Sequence, residues 1–354
     1  MAFSPEKRKG TMAGIIFVAI FAAGATYISD LSFIKALGLS PLVIGIVMGI
    51  FYANTLHNQT PDAWQSGIVF SGKKILRFAI VFYGFRITFQ QIVDVGMEGF
   101  LVSLIMLTST LILGAWIGQK IFGMDRDTSI LTASGAAVCG AAAVLATEPV
   151  LKAQEHKTAI AVSMVVLFGT ISMFLYPLLY TTIIENATGV FAMTPKEFGI
   201  YVGGTIHEVA QVVAVPASIP NASVEMADAA VIVKMTRVIM IAPMLIVLGL
   251  YLSFVAKKEG NSGDKLKLVI PWFAVYFIGV AGFNSFNIVP QNIVDIINEI
   301  DTFLLTMAMT ALGMGTIIAK FKGLGLAPIY TAGIMFFWLV IGGFIVTKVV
   351  CGIV

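Results

Sequence analysis

Residues 128–150 read TSILTASGAAVCGAAAVLATEPV. The stretch is apolar enough to lie in a membrane, yet too rich in Gly, Ala, Ser and Thr to be an ordinary lipid-facing helix. Small residues let backbones and ligands approach closely. Gly135 and Gly140 bracket Cys139, which predicts a local unwinding there. Pro149 disfavours helical geometry at Glu148 and is expected to end the stretch. Broken helices at membrane depth are tolerated where they are buried in protein or line a cavity, and in transporters they form substrate sites. A second small-residue segment, GIYVGGTIHEVAQVVAVP at 199–216, is read as its counterpart.

Working outward, the composition places both segments in lipid. The chain has 354 residues, 58% hydrophobic and 12% charged, with a mean hydropathy of +0.95. A soluble domain carries about 25% charged residues. The apolar runs are long and continuous, unlike the short alternating segments of a transmembrane barrel. The basic start Met1–Gly10 leads into further membrane segments without a small-residue cleavage pattern, so no removable signal is expected. The net charge of +3 is spread over short loops and points to no nucleic-acid partner. Cys139 and Cys351 both sit in apolar surroundings, which argues against a disulfide framework.

The remaining apolar runs fall at about 12–28, 40–56, 75–93, 99–119, 158–184, 229–256, 268–284, 302–319 and 325–350. Lys and Arg in short loops mark the cytoplasmic side. Lys7, Arg8 and Lys9 put the N-terminus inside, and the loops holding Lys73, Lys74 and Arg77, Lys120 and Arg126, Lys257, Lys258, Lys265 and Lys267, and Lys320 and Lys322 follow it. The turn with Asp94 and Glu98 and the loop 285–301 carry acids without Lys or Arg and read as outside, as does the C-terminus. Lys152, His156 and Lys157 prefer the inside, which makes 128–150 re-entrant; a crossing broken helix is the alternative. PLVIGIVMGIFYAN at 41–54 aligns with PWFAVYFIGVAGFN at 271–284, matching Pro41 with Pro271, Gly49 with Gly279 and Asn54 with Asn284; a looser match pairs Gly84 with Gly313. Opposite loop charges make the copies inverted, a transporter signature. The expected fold is an all-α polytopic membrane protein. It has about 9–11 transmembrane helices, inverted repeats and two broken or re-entrant segments. It forms one transporter domain over 1–354, with repeat A about 12–150, a linking helix about 158–184 and repeat B about 199–354.

Charges inside spans are costly and mark candidate sites. His207 and Glu208 lie mid-segment, just after Gly203 and Gly204, which would permit an irregular backbone; a continued helix would stack Gln211 beneath them. Histidine titrates near neutrality and suits proton coupling. The spacing HExxQ lacks the second histidine of a zinc-protease site, so no metal is expected. Lys234 and Arg237, three apart in VIVKMTRVIM, share one helical face and need anions nearby: Glu208, Glu148 or an anionic substrate. Arginine suits oxyanions through its planar fork. Ser134 and the backbone around Gly135, Cys139 and Gly140 would face that anion at a half-helix N-terminus. Glu148 is read as a coupling acid or an interfacial carboxylate, and Arg86 as a side chain snorkelling to the interface.

SGAAVCGAAAVLATEPVLKAQEHK, VVLFGTISMFLYPLLY, GGTIHEVAQVVA and VIVKMTRVIMIAP, in that order, resemble the YeiH family of bacterial inner-membrane proteins. The resemblance is strongest over about 130–245 and extends more loosely over the whole chain. It implies an inner-membrane carrier designated a sulfate exporter, akin to cation–proton antiporters and bile-acid-symporter-like proteins, with inverted repeats and broken helices. By motif it points to Cys139 and Gly140, to His207 and Glu208, and to Lys234 and Arg237. Ala136 and Ala137 stand where some relatives are expected to carry a polar residue, so substrate contacts there would fall to backbone amides or Ser134.

The expected function is secondary transport of a small anion, sulfate or another sulfur oxyanion, by alternating access. Lys234 and Arg237 would neutralise the anion, while Glu148, His207, Glu208 and Gln211 would serve a coupled proton or sodium. A cation–proton antiporter is the first alternative, and an intramembrane enzyme or channel the second. No phosphate-binding loop and no cofactor are foreseen, catalysis is not expected, and a homodimer is anticipated from related folds.

Overall fold

The computed structural model describes residues 8–31, 34, 40–56, 60–258, 272–321 and 325–353. Lys7, Lys265, Lys267, Pro271 and Lys322, used above for orientation or for the repeat, lie outside the described residues. In chain order the helices are α1 (Arg8–Ser29), α2 (Pro41–Thr55), α3 (Gln65–Phe70), α4 (Leu76–Tyr83), α5 (Phe89–Lys120), α6 (Arg126–Ala137), α7 (Ala141–Leu151) and α8 (Glu155–Leu179). There follow α9 (Pro195–Thr205), α10 (Val209–Ala217), α11 (Val224–Ile239), α12 (Ile241–Lys258), α13 (Trp272–Asn284), α14 (Gln291–Gly315), α15 (Leu326–Phe337) and α16 (Gly343–Ile353). No strand occurs among the described residues. Five stretches are long and apolar enough to cross a membrane: Arg8–Ser29, Phe89–Lys120, His156–Ile184, Val224–Phe254 and Leu326–Ile353. Three shorter helices, α2, α7 and α13, are also apolar.

The chain forms two compact units. The first comprises Met1–Asp94, Val213–Asp228 and Phe273–Lys322; the second comprises Val95–Val212, Ala229–Trp272 and Gly323–Val354.

In the first unit, α1 shows how the sequence is adapted to lipid. It buries Thr11, Gly14, Val18, Ala22, Ala25 and Ser29, spaced three or four apart. Its opposite face exposes Met12, Ile16, Ile20 and Tyr27. Small residues inward and large apolar residues outward is the arrangement expected when the surrounding solvent is hydrocarbon. Val18 and Ala22 pack with Tyr52, Ile68, Met307, Ala311 and Met314. The α2 and α14 backbones cross in contact: a Cβ on Gly49 would lie 2.3 Å from the Thr310 carbonyl oxygen, and one on Gly313 2.3 Å from that of Ile46. The two asparagines matched in the repeat do parallel work. Asn54 Nδ2 donates to Thr316 O just past α14 (3.0 Å), and its Oδ1 accepts from Ile318 N (2.8 Å). Asn284 Nδ2 donates to Ile87 O just past the turn that follows α4 (3.3 Å).

Two boundaries differ from the sequence reading. The turn before α5 falls at 84–88, not at Asp94 and Glu98. There the Thr88 N–H donates to Gln91 Oε1 (2.7 Å) and the Gln91 N–H to Thr88 Oγ1 (3.3 Å), a reciprocal cap that starts the helix early. Asp94 and Glu98 ride inside α5, which kinks at Gly96 (φ 22°). Likewise the acidic segment expected as loop 285–301 is helical from Gln291, so Asp301 is a buried helix residue.

In the second unit, Ile130, Leu131, Val144, Leu151, Ala161, Val165 and Leu248 form a shared core. Asp125 caps α6 by accepting from Thr128 N, and Lys157 Nζ binds Asp125 (2.7 Å) and Asp127 (3.2 Å). Gly203 and Gly204 do not unwind their helix. They stay helical and buried, and a Cβ on Gly203 would lie 2.3 Å from Ala230 O, so they serve close packing of α9 on α11. Pro149 does not end its helix either. α7 continues to Leu151 and stops at left-handed Lys152, because a proline two residues from the end sacrifices only one backbone bond.

Candidate functional site

Both small-residue segments are broken within the second unit. α6 ends at Ala137, Val138 departs from helical geometry (φ −123°, ψ −89°), and α7 begins after Gly140, whose φ of 72° glycine adopts without strain. α9 ends at Thr205, Ile206 is extended (ψ 148°), and α10 begins at Val209. Each break leaves orphan carbonyls on one side and orphan N–H groups on the other.

The carbonyls of α6 can be accounted for one by one. Ser134 O and Gly135 O accept from Val138 N and Gly140 N. Ala136 O and Ala137 O accept from Arg237 Nη2 (3.0 Å) and Nε (2.7 Å). Val138 O accepts from Lys234 Nζ (2.7 Å), which also donates to Ile206 O at the second break (2.6 Å). One lysine thus ties the C-terminal ends of two half-helices together, where the helix dipoles favour positive charge. Lys234 and Arg237 are fully buried. The carboxylates expected as their partners are not what they bond: the acceptors are main-chain carbonyls, and neither cation forms an ion pair among the described residues. Glu208 lies within electrostatic range of Lys234.

The second break faces the first. A Cβ on Gly140 would meet Glu208 Cγ at 2.5 Å, so the absent side chain is what lets Glu208 lie against the α6–α7 break. Gln211 does not stack beneath His207 on a continuous helix; its Oε1 accepts from Glu208 N (3.1 Å) and so starts α10. Gly169 of α8 makes room for the Gln211 amide. Among the described residues, three buried nitrogens here have no partner: Arg237 Nη1, His207 Nδ1 and Gln211 Nε2. Tyr176, stacked on Tyr201, donates to Thr205 Oγ1 (2.9 Å) and braces the end of α9.

The structure therefore gathers Cys139, Gly140, His207, Glu208, Gln211, Lys234 and Arg237. It holds three other sequence candidates apart. Ser134 donates to Leu131 O of its own helix, and a Cβ on Gly135 would strike Val165 and Val144. Glu148 sits half-buried eight residues past Gly140, about 12 Å along the helix at 1.5 Å per residue.

The first unit contains a polar constellation that the sequence reading passed over. A cavity of about 610 Å³ is lined by residues that include Tyr83, Arg86, Asp228, Asn298 and Thr302. Arg86 is not snorkelling. Its guanidinium lies 5.0 Å from the Tyr83 ring, and Nη2 donates to Asn298 O (2.7 Å) and Thr302 Oγ1 (2.8 Å) and pairs with Asp301 (3.4 Å). Asp228 Oδ2 accepts from Gln91 Nε2 (2.8 Å). The signal for these residues was faint: Asp228 falls one position before the apolar run read at about 229–256, and Asp301 sits at the edge of a segment taken for a loop.

Long helices with lipid-facing apolar surface, broken helices and buried charge define an all-α polytopic membrane protein. The family described as "Conserved hypothetical protein 698" matches residues 13–332. The UPF0324 membrane protein of Bacteroides thetaiotaomicron is 44% identical over 336 residues, covering 95% of this chain and 97% of the relative. The UPF0324 membrane protein of Bordetella pertussis is 45% identical over 344 residues, covering 97% and 96%. The UPF0324 inner membrane protein YeiH of Escherichia coli K12 is 43% identical over 346 residues, covering 96% and 95%. The chain belongs to this UPF0324 (YeiH) family of membrane proteins, and the resemblance carried by its central motifs extends along nearly its whole length.

Proposed function

We propose that the protein is a secondary transporter that moves a small anion, with sulfate and other sulfur oxyanions as first candidates, across the bacterial inner membrane by alternating access. The observation that carries this reading is the charge balance at the paired breaks. Two fully buried cations stand against one carboxylate, Glu208, and Arg237 Nη1, Gln211 Nε2 and the His207 imidazole have hydrogen-bonding capacity to spare. The first N–H groups of α7 and α10 add two half-helix N-termini, which favour anions. With Glu208 ionised these groups sum to +1, so a monoanion, or a dianion such as sulfate together with one coupled proton or sodium ion, would restore neutrality, and its oxygens would satisfy Arg237 Nη1. Lys234 would keep its structural bonds to the two carbonyls, so substrate charge is met mainly by Arg237.

His207 and Glu208 then serve a coupled proton or sodium ion, and the two compact units provide the bodies that alternating access requires. The loop charges favour a cytoplasmic N-terminus and a periplasmic C-terminus, and related folds favour a homodimer. No catalytic step is assigned to these residues. Glu208 beside the break also supports the alternative of cation–proton antiport.

Labelled-sulfate counterflow in proteoliposomes tests the proposal. Saturable exchange, absent from protein-free vesicles and competed by sulfite or thiosulfate, is the expected result. Flux that needs Na⁺ or K⁺ but no oxyanion would replace it with cation–proton antiport.

A further inference from the structure

We infer that the cavity of the first unit binds a small organic zwitterion, with Asp228 taking its ammonium group and Arg86 its oxyanion. This inference does not depend on transport of sulfate through the helix breaks.

Three observations carry it. The first is that opposite charges stand open in one cavity without pairing with each other. Asp228 is buried, with 4% of its surface exposed, and among the described residues its one side-chain hydrogen bond is at Oδ2, from Gln91. Arg86 spends Nη2 on Asn298, Thr302 and Asp301, while among the described residues its Nη1 takes no such duty and its buried Nε has no acceptor. Gln91, locked by its reciprocal cap with Thr88, holds that Asp228 oxygen in place.

The second is the charge count. Arg86 faces two carboxylates, Asp301 and Asp228, and its ion pair is with Asp301. An inorganic dianion here would meet the uncompensated Asp228, while a simple amine would leave the free Arg86 N–H groups unanswered. A ligand carrying both charges answers both.

The third is size. About 610 Å³ is room for roughly 20 waters at about 30 Å³ each, far more than an inorganic ion needs. Apolar walls at Val213, Pro216, Val294 and Leu305 suit a short carbon chain, and the Asn284 and Asn287 amides suit its polar substituents.

The test is direct titration of the full-length protein in nanodiscs with β-alanine, aminomethanesulfonate and glycylglycine, beside propionate, propylamine and sulfate. At least one zwitterion is expected to bind saturably, and at least ten-fold more tightly than each singly charged analogue and sulfate. Asp228→Asn keeps the shape and the Gln91 bond and should weaken that binding at least ten-fold. Arg86→Gln alone strands Asp301, so the paired variant R86Q/D301N, neutral and nearly isosteric, tests the oxyanion end and should show a similar loss. Absence of saturable zwitterion binding to the wild type, unchanged affinity in either variant, or equal binding of propylamine would overturn the inference. Sulfate exchange is scored separately, so either reading can fail while the other stands.

Discussion

The two units solve the same problem in opposite ways. In the second, Lys234 and Arg237 are sunk in protein and direct most of their donors at the ends of broken helices. In the first, Arg86 and Asp228 line one open cavity without pairing with each other. The difference teaches that intramembrane charge is not a uniform mark of a ligand site. At the breaks charge is first a scaffold, and only the residual donors, chiefly Arg237 Nη1, are free for substrate. In the cavity Arg86 is tied to α14 through Asn298, Thr302 and Asp301 and Asp228 to Gln91, yet both still line open volume.

That contrast can be broken by substitution. The largest effect is expected from Lys234→Met, which keeps most of the unbranched side chain and removes its charged end. It strands Val138 O and Ile206 O; each buried unsatisfied group costs about 1–3 kcal/mol, so the melting temperature and the yield of monodisperse protein should fall steeply. Gly140→Ala comes next. Its φ of 72° and the 2.5 Å approach of Glu208 Cγ leave no place for a methyl group, and about 1–3 kcal/mol of strain is expected, read by thermal unfolding.

A third comparison sits in the cavity. Arg86→Gln should destabilise by stranding buried Asp301, and adding Asp301→Asn should recover much of the loss. Coupling of about 0.5–3 kcal/mol in that double-mutant cycle marks a working pair; additivity would mean that the ion pair is incidental.

The smallest effect belongs to the α6 cap. Partial burial pushes the Asp125 carboxyl up, but hydrogen bonds from Lys157 and Thr128 outweigh it and hold it down at about 2. A depressed carboxylate contributes stability that is full above its unfolded pKa of about 3.9 and is lost as pH falls toward 2. Asp125→Ala should therefore cost about 1 kcal/mol, and the gap from wild type in thermal melts should stay constant between pH 8 and pH 5.

Much of the second unit was legible in the sequence because its signals are local. Gly135 and Gly140 around Cys139 marked a break that falls at 138–140, and the three-residue spacing of Lys234 and Arg237 placed them on one face. What those cations bond was not legible. Main-chain carbonyls carry no residue signature, and Lys234 reaches acceptors 96 and 28 positions away. Gly203 and Gly204 misled because glycine serves close packing as readily as unwinding. The cavity was missed for a related reason: Arg86 and Asp301 are 215 positions apart. A rule based on loop charge also assigned the start of α14 to a loop, although Pro290 at its N-terminal boundary offered a helix-start signal.

The account rests on Arg237 meeting the substrate as well as the helix end. The decisive measurement is sulfate counterflow for wild type and Arg237→Lys, reconstituted at equal density after size exclusion confirms folding. Lysine can restore one carbonyl bond but lacks the second arm of the fork. The account predicts at least a ten-fold loss of exchange in folded protein. Exchange at the wild-type rate would contradict it and return Arg237 to a purely structural role.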